Sequence, residues 1–191
     1  PLAKWFIPLE IPKIVKEEAV LVLIDFQERL MPAMKGNDDL EKAVIKLVKG
    51  ARILRVPILV TQQYTKGLGA TIPSIHEALG DYNPIEKTAF SAMGEPVFAE
   101  RLAASNRKTV ILAGIEAHVC VLQTAIDLME AGYTVFLVND CISSRSGEDR
   151  KFARRRMTGS GAVDTTYESV LFELLKGAKQ EGFKDISALV K

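Results

Sequence analysis

Cysteine and histidine are scarce in this chain, with two of each among its 191 residues. Cys120 and Cys141 are too few for the disulfide framework of a small secreted domain, and they read as free thiols of a reducing compartment. Neither has the paired spacing of a zinc site. His76 and His118 are too scattered to form a metal cluster with them unless the fold collects all four. An excess of either charge is missing too. Twenty-five basic residues stand against twenty-four acidic ones, a net charge of +1, which provides no field for nucleic acid or an acidic membrane and points to a small-molecule partner. Apolar runs such as "AVLVLI" fall well short of the roughly 20 residues that cross a bilayer, and no basic segment followed by an apolar one opens the chain. The expectation is a cytoplasmic protein. Repeated-glycine dinucleotide loops and the Gly-Lys-Ser/Thr of nucleotide triphosphate sites are absent, so no nucleotide cofactor is expected. No linker, internal repeat or low-complexity tract divides the chain, and residues 1–191 read as a single domain.

What is present is a core: 48% of the residues are hydrophobic. The runs at 19–25, 56–62, 108–115 and 133–140 are continuous rather than alternating, as strands covered on both faces should be. Helical patterns lie between them. Residues 38–54 place Leu40, Val44, Leu47 and Ile53 near one face behind an Asp suited to capping, and 119–132 end in a glycine placed to stop a helix. Strands alternating with helices predict right-handed βαβ units. The fold expected is a three-layer α/β/α domain around a mostly parallel, Rossmann-like sheet of about six strands. Ligands in such sheets bind beyond the carboxyl ends of the strands, where Asp25, Gln62, Gln63, residues 116–120, Asn139 and Asp140 stand. Residues 63–96 are the least regular stretch and read as active-site loops.

Several side chains can carry chemistry. Cys120 follows a buried strand by a few residues and lies in the first turn of a helix, where free N–H groups favour a thiolate; the alternative is a cysteine acting as a small hydrophobe. Asp25 ends an apolar run at the ligand-binding end of the sheet and suits a general base, or equally a turn-forming cap. Lys87 is a lone cation that earns a role only if it points inward, where it would hold Asp25 ionised and acidify the thiol. The stretch "GIEAHVC" has the character of a strand–turn–helix elbow presenting a nucleophile. The basic run "RKFARRRM", 150–157, reads as a solvated helix face, and Cys141 as structural.

Asp25 in "LIDFQ", Lys87 in "EKTAFS" and Cys120 in "AGIEAHVC", in that order and spacing, resemble the Asp-Lys-Cys triad of the isochorismatase-like cysteine hydrolases. The resemblance extends to "VPILVTQQYTKGLG", "GYTVFLVNDCISSRS" and "TTYESVLFELL", and is nearest to the isochorismatase-domain-containing branch. It implies that Cys120 attacks a carbonyl to form an acyl-enzyme, that Asp25 relays protons, and that Lys87 orients Asp25 and stabilises the thiolate. It also implies an oxyanion hole from the backbone N–H groups of Glu116 and Cys120, and a cis peptide at Ile115–Glu116. Gln27, Gln63, Tyr64, Phe90 and His118 flank the triad motifs and are candidates to line the pocket.

The resemblance has one marked departure. Nicotinamidases of this superfamily hold a metal through an aspartate and histidines after the second strand, whereas this chain has Gln63 and Thr65 there. No metal and no other cofactor is therefore expected, and a small amide, imide or related carbonyl compound is the substrate class implied. Isochorismatases themselves act on a vinyl ether, so the family name leaves the substrate open. Relatives of this fold assemble as dimers or larger rings, which implies a homo-oligomer. The rival reading is a silent binding or scaffold protein with an inert Cys120. A weaker one, nucleic-acid binding through 150–157, requires affinity that falls steeply with salt.

Overall fold

The computed structural model describes residues 10–191. Six parallel strands form one sheet: β1 (Ala19–Ile24), β2 (Ile58–Gln63), β3 (Ile85–Lys87), β4 (Thr109–Ile115), β5 (Thr134–Ser143) and β6 (Val163–Thr165), in the order β3-β2-β1-β4-β5-β6. The helices are α1 (Asn37–Ile53), α2 (Thr65–Leu68), α3 (Pro73–Leu79), α4 (Pro96–Ala104), α5 (Leu122–Glu130), α6 (Gly147–Gly159), α7 (Tyr167–Leu175) and α8 (Phe183–Val190).

Two cores explain the continuous apolar runs. On β1, Leu21 and Leu23 pack with α1, α3, α7 and α8 in one cluster, while Val20, Val22 and Ile24 pack with α4, α5 and α6 in the other. Successive side chains of a strand point to opposite faces, so a strand buried on both needs apolar residues at every position. All six residues of β1 are buried. The three-layer reading therefore holds, with helices on both sides of a parallel sheet.

Local details differ from the sequence reading in three places. The three-residue edge strands β3 and β6 give no apolar run, and Lys87 ends β3 rather than sitting in a loop. α1 starts behind Gly36, in the left-handed region at φ 68°, and not behind a capping Asp; Asp38 and Asp39 instead occupy its first turn, facing the positive helix end. The segment expected to be one helix from 119 divides into a π-helical turn, Ala117–Val121, followed by α5.

The chain runs outward from β1 to β2 and β3 on one side, then returns to β4 beside β1 and continues to β5 and β6. That reversal makes the carboxyl ends of β1 and β4 the switch point where open α/β sheets form their crevice. Gly114 lets the two ends meet closely. At φ +152°, a Cβ there would lie 2.4 Å from Ile24 Cβ and 2.6 Å from the Ile24 carbonyl oxygen, so only glycine admits this approach.

Candidate active site

Asp25 comes immediately after β1 in the left-handed region at φ 55°, a conformation that Asp tolerates better than most residues. Its side chain is fully buried. Thr61, near the end of the neighbouring strand β2, donates its hydroxyl to Asp25 Oδ1 at 2.7 Å. Lys87 arrives from the end of β3 and places Nζ 2.9 Å from Asp25 Oδ2, with 0% of either side chain exposed. The ammonium also donates to Gln63 Oε1 at 2.6 Å and to the carbonyls of Ala89 and Phe90 at 3.0 and 2.9 Å. Four oxygens thus compete for three protons. Asp25 Oδ2 is the one that ends without a hydrogen bond.

Cys120 comes from the other side of the switch point, in the π-turn after β4, and is 7% exposed. The charges of both Asp25 and Lys87 act on its thiol. The structure brings together the three residues that the sequence motifs picked out. Burial first, and then the negative charge of Asp25, outweigh the pull of Lys87 and push the thiol up to about 12, which favours its protonated form. Burial likewise raises the Asp25 carboxyl against the opposing effect of Lys87. The π-turn position does not by itself deliver a thiolate.

The Ile115–Glu116 peptide is cis. The Glu116 carbonyl accepts from the N–H groups of Val119 and Val121 at 3.1 and 3.2 Å, folding the turn back beneath Cys120. The Glu116 carboxylate is held away by Arg145, which donates from its backbone N–H at 3.0 Å and from Nε at 3.1 Å. His118 Nδ1 lies 2.8 Å from the buried Ser144 hydroxyl, and its Nε2 lies 3.9 Å from Asp149. His118 therefore belongs to a polar rim with Glu116, Ser144 and Arg145.

The other pocket candidates separate into braces and rim. Gln27 is fully buried: its amide nitrogen donates to the carbonyls of Gln63 and Gly69 at 2.9 and 2.8 Å, and its oxygen accepts from the Gln63 N–H at 2.7 Å. Gln63 bridges Lys87 and the Thr88 carbonyl. Tyr64 and Phe90 are joined to Lys87 through their backbones, while the residues themselves are 53% and 55% exposed. Thr61 was missed by sequence reasoning, although it stands at the end of "ILVT" beside the chosen glutamines.

Where the metal-binding pattern would fall, the Gln63 amide is spent on Lys87 and Thr88, and Thr65 bonds to Glu86 and Gln62. Among the described residues, no three His, Cys, Asp or Glu side chains stand close enough together to hold a metal ion. Nor is any described helix long and apolar enough to cross a membrane. A cavity of about 520 Å³ lined by Lys35, Asp140, Arg150 and Tyr167 opens beside β5, but it contains none of the triad.

Residues 19–169 match the Isochorismatase domain. The chain belongs to the isochorismatase family. Isochorismatase domain-containing protein 1 of Salmo salar is 37% identical over 97% of this chain and 67% of its own length. A structure of MAR1 ribonuclease from Caenorhabditis elegans superposes with a TM-score of 0.88 at 40% identity, covering 94% of this chain and 92% of that one. YcaC from Pseudomonas aeruginosa, solved with hexane-2,5-diol and covalent acrylamide, gives a TM-score of 0.87 at 26% identity over 93% of this chain and 91% of its own. The Escherichia coli YcaC structure, described as an octameric hydrolase of unknown specificity, gives 0.86 at 26% identity over 94% and 88%. These solved structures share the fold of this isochorismatase-family chain.

Proposed function

We propose that the protein is a metal-independent cysteine hydrolase that cleaves a small amide, imide or related carbonyl compound through a thioester. The observation that carries this reading is the buried Asp25–Lys87 ion pair placed beside the Cys120 thiol. As the carbonyl arrives, the thiol proton passes to Asp25 Oδ2 and Sγ bonds to the carbonyl carbon. The oxygen then takes up negative charge against the backbone N–H groups of Glu116 and Cys120. Collapse breaks the C–N bond, and the nitrogen leaves with the proton from Asp25. Water then attacks the thioester while Asp25 takes its proton, and the thiol is restored when that proton returns to sulfur. Lys87 keeps its protons on Gln63, Ala89 and Phe90, so its part is to hold Asp25 in place and offset its charge.

The test is a screen of small amides, imides and thioesters read by intact mass for an acyl adduct. Cys120→Ala is expected to abolish both adduct and turnover; undiminished turnover of a true substrate by that variant would sink the mechanism. The covalent acrylamide in the Pseudomonas aeruginosa neighbour supports a reactive centre of this kind. The octameric neighbour supports a homo-oligomer, and two buried free thiols support a reducing, cytoplasmic setting.

Hydrolysis of RNA is a second reading, favoured by the 40% identity to MAR1 ribonuclease and by the exposed Lys151, Phe152, Arg155 and Arg156 on α6. Against it stand the net charge of +1 and a triad too buried to meet a polymer backbone. Cleavage of RNA by purified protein that is lost in Cys120→Ala would favour this reading over the amide one.

A further inference from the structure

Among the described residues, three buried side-chain oxygens accept no hydrogen bond from the protein: Asp25 Oδ2, which faces its ion-pair partner Lys87 Nζ at 2.9 Å, Ser91 Oγ and Asp164 Oδ1. The last belongs to a carboxylate whose other oxygen is bound by Arg154, on the distant edge strand β6. The first two belong to one place. Lys87 Nζ draws in the carbonyls of Ala89 and Phe90. Ser91 follows, and the Ala92 N–H donates to Thr124 Oγ1 at 2.9 Å. Thr124 lies four residues beyond Cys120, one helical turn onward and on the same face. Ala92 is fully buried in the cluster that contains Cys120 and Val121. Ser91, itself 8% exposed, therefore lies in a short segment tied on one side to the triad ammonium and on the other to α5, the helix that follows the Cys120 turn.

A hydroxyl removed from water without a partner destabilises the folded state, and native proteins tolerate such groups mainly where function needs them. Ser91 Oγ is such a group, one residue beyond the Phe90 carbonyl that the triad lysine holds. We propose that Ser91 is a substrate-positioning residue, and that Ser91 Oγ and Asp25 Oδ2 together receive the N–H groups of the substrate. The substrate class is thereby narrowed to carbonyl compounds with N–H donors, such as primary amides, ureido groups and imides, in preference to esters. This inference rests on the cysteine-hydrolase reading and adds to it the residue that selects nitrogen.

The probe pair is acrylamide and methyl acrylate, which differ in whether the carbonyl carries NH2 or OCH3. Each adds to the thiol by one balanced step: Sγ bonds to the terminal alkene carbon, the double bond becomes single, and the thiol proton ends on the carbon beside the carbonyl, with no leaving group. Alkylation of Cys120 in the full chain, followed by intact mass across reagent concentration, yields a saturation constant and a maximal rate for each reagent.

Ser91→Ala is expected to raise the saturation constant for acrylamide roughly three- to tenfold, the size of one lost hydrogen bond. The maximal rate should barely change, and methyl acrylate should be unaffected. Ser91→Thr, which keeps a hydroxyl, should retain the acrylamide preference, and the Tm of Ser91→Ala should not fall. Equal effects on the two reagents, no effect on either, or a lowered Tm with both weakened would overturn the assignment and leave Ser91 as packing. A wild-type Cys120 inert to both reagents would instead remove the cysteine-hydrolase reading, and this inference with it.

Discussion

Replacing Asp25 by Asn is expected to make Cys120 more reactive toward a simple alkylating agent while abolishing hydrolysis. Asp25 is the largest source, after burial, of the upward push on the thiol. Two unit charges about 4 Å apart interact by ~4 kcal/mol at an effective dielectric near 20, which corresponds to about three pKa units. With the thiol at about 12, roughly one molecule in ten thousand holds a thiolate at pH 8. Removing the carboxylate charge raises that fraction by up to about a thousandfold, and Lys87, left without its counter-ion, then pairs with the sulfur. A wild-type thiolate that has handed its proton to Asp25 narrows the gap, so at least a tenfold faster rate is the expected reading. The assay is iodoacetamide labelling between pH 7 and 9 followed by intact mass, with the fully buried Cys141 as internal reference. Iodoacetamide loses iodide and needs no proton donor, so it reports the thiolate alone. The proposed hydrolytic cycle needs Asp25 to give and take protons, and it is expected to stop. Labelling in Asp25→Asn that is equal to or slower than wild type at every pH would refute the claim that this carboxylate holds the thiol protonated. The variant also leaves a buried cation behind, which costs about 3–5 kcal/mol when one partner of a buried pair is removed, so labelling is compared at a temperature where both proteins are folded.

Gly114→Ala forces a Cβ to within 2.4 Å of Ile24 Cβ at a φ of +152°. Overpacking of ~1–3 kcal/mol and backbone strain of similar size predict a loss of about 3 kcal/mol in urea unfolding, whereas Gly159→Ala, with nothing within 4 Å, should be neutral or slightly stabilising. Comparable midpoints for the two variants would show that the approach of β1 and β4 is not tight. The two raised thiols make a pH prediction as well: burial and a neighbouring carboxylate lift both Cys120 and Cys141. The unfolded chain then ionises near pH 8.5 while the folded chain keeps its protons. The native state binds more protons, so stability falls as pH rises from about 8.5 toward 12, by up to about 1.4 kcal/mol per pH unit for each thiol. Between pH 7.5 and 9.5, wild type should lose more stability than Cys120→Ala/Cys141→Ala, and parallel losses would contradict the shifts.

The long strands were legible because burial on both faces leaves its mark on every residue, as in Val20 to Ile24. β3 and β6 were not, since each pairs along one edge for three residues and carries an exposed or half-exposed acid, Glu86 and Asp164. Asp25 and Cys120 could be picked out as polar groups at strand ends, where a charge or thiol is conspicuous after an apolar run. Lys87 was not legible alone; nothing near it in sequence says that it points inward, and only its order relative to the other two singled it out. Gln27 and Gln63 show the opposite limit. A glutamine beside a strand end reads the same whether its amide meets a ligand or, as here, the backbone of the next loop. Thr61 and Ser91 were out of reach because their significance lies in pairings, or missing pairings, that exist only once β2, the 89–92 segment and α5 are brought together.

The protonated resting thiol makes sense of an arrangement that otherwise looks self-defeating. A cysteine at the start of a helix beside a lysine has what it needs for a permanent thiolate, and such a group is open to oxidation and indiscriminate alkylation. Burying Asp25 against the same lysine reverses that outcome. Lys87 donates its three protons to Gln63, Ala89 and Phe90 and stands 2.9 Å from the carboxylate as its counter-ion, so the ammonium stays in place and gives up no proton. The mobile proton is confined to the short path between sulfur and Asp25 Oδ2, the oxygen without a hydrogen bond. On the proposed mechanism, transfer between them is uphill while the site stands alone. It becomes favourable when a carbonyl oxygen against the backbone of the 116–120 turn can receive the charge that the sulfur passes on. On the proposed mechanism, reactivity is then conditional on the bound substrate, which suits a cysteine kept 7% exposed in the core of the sheet.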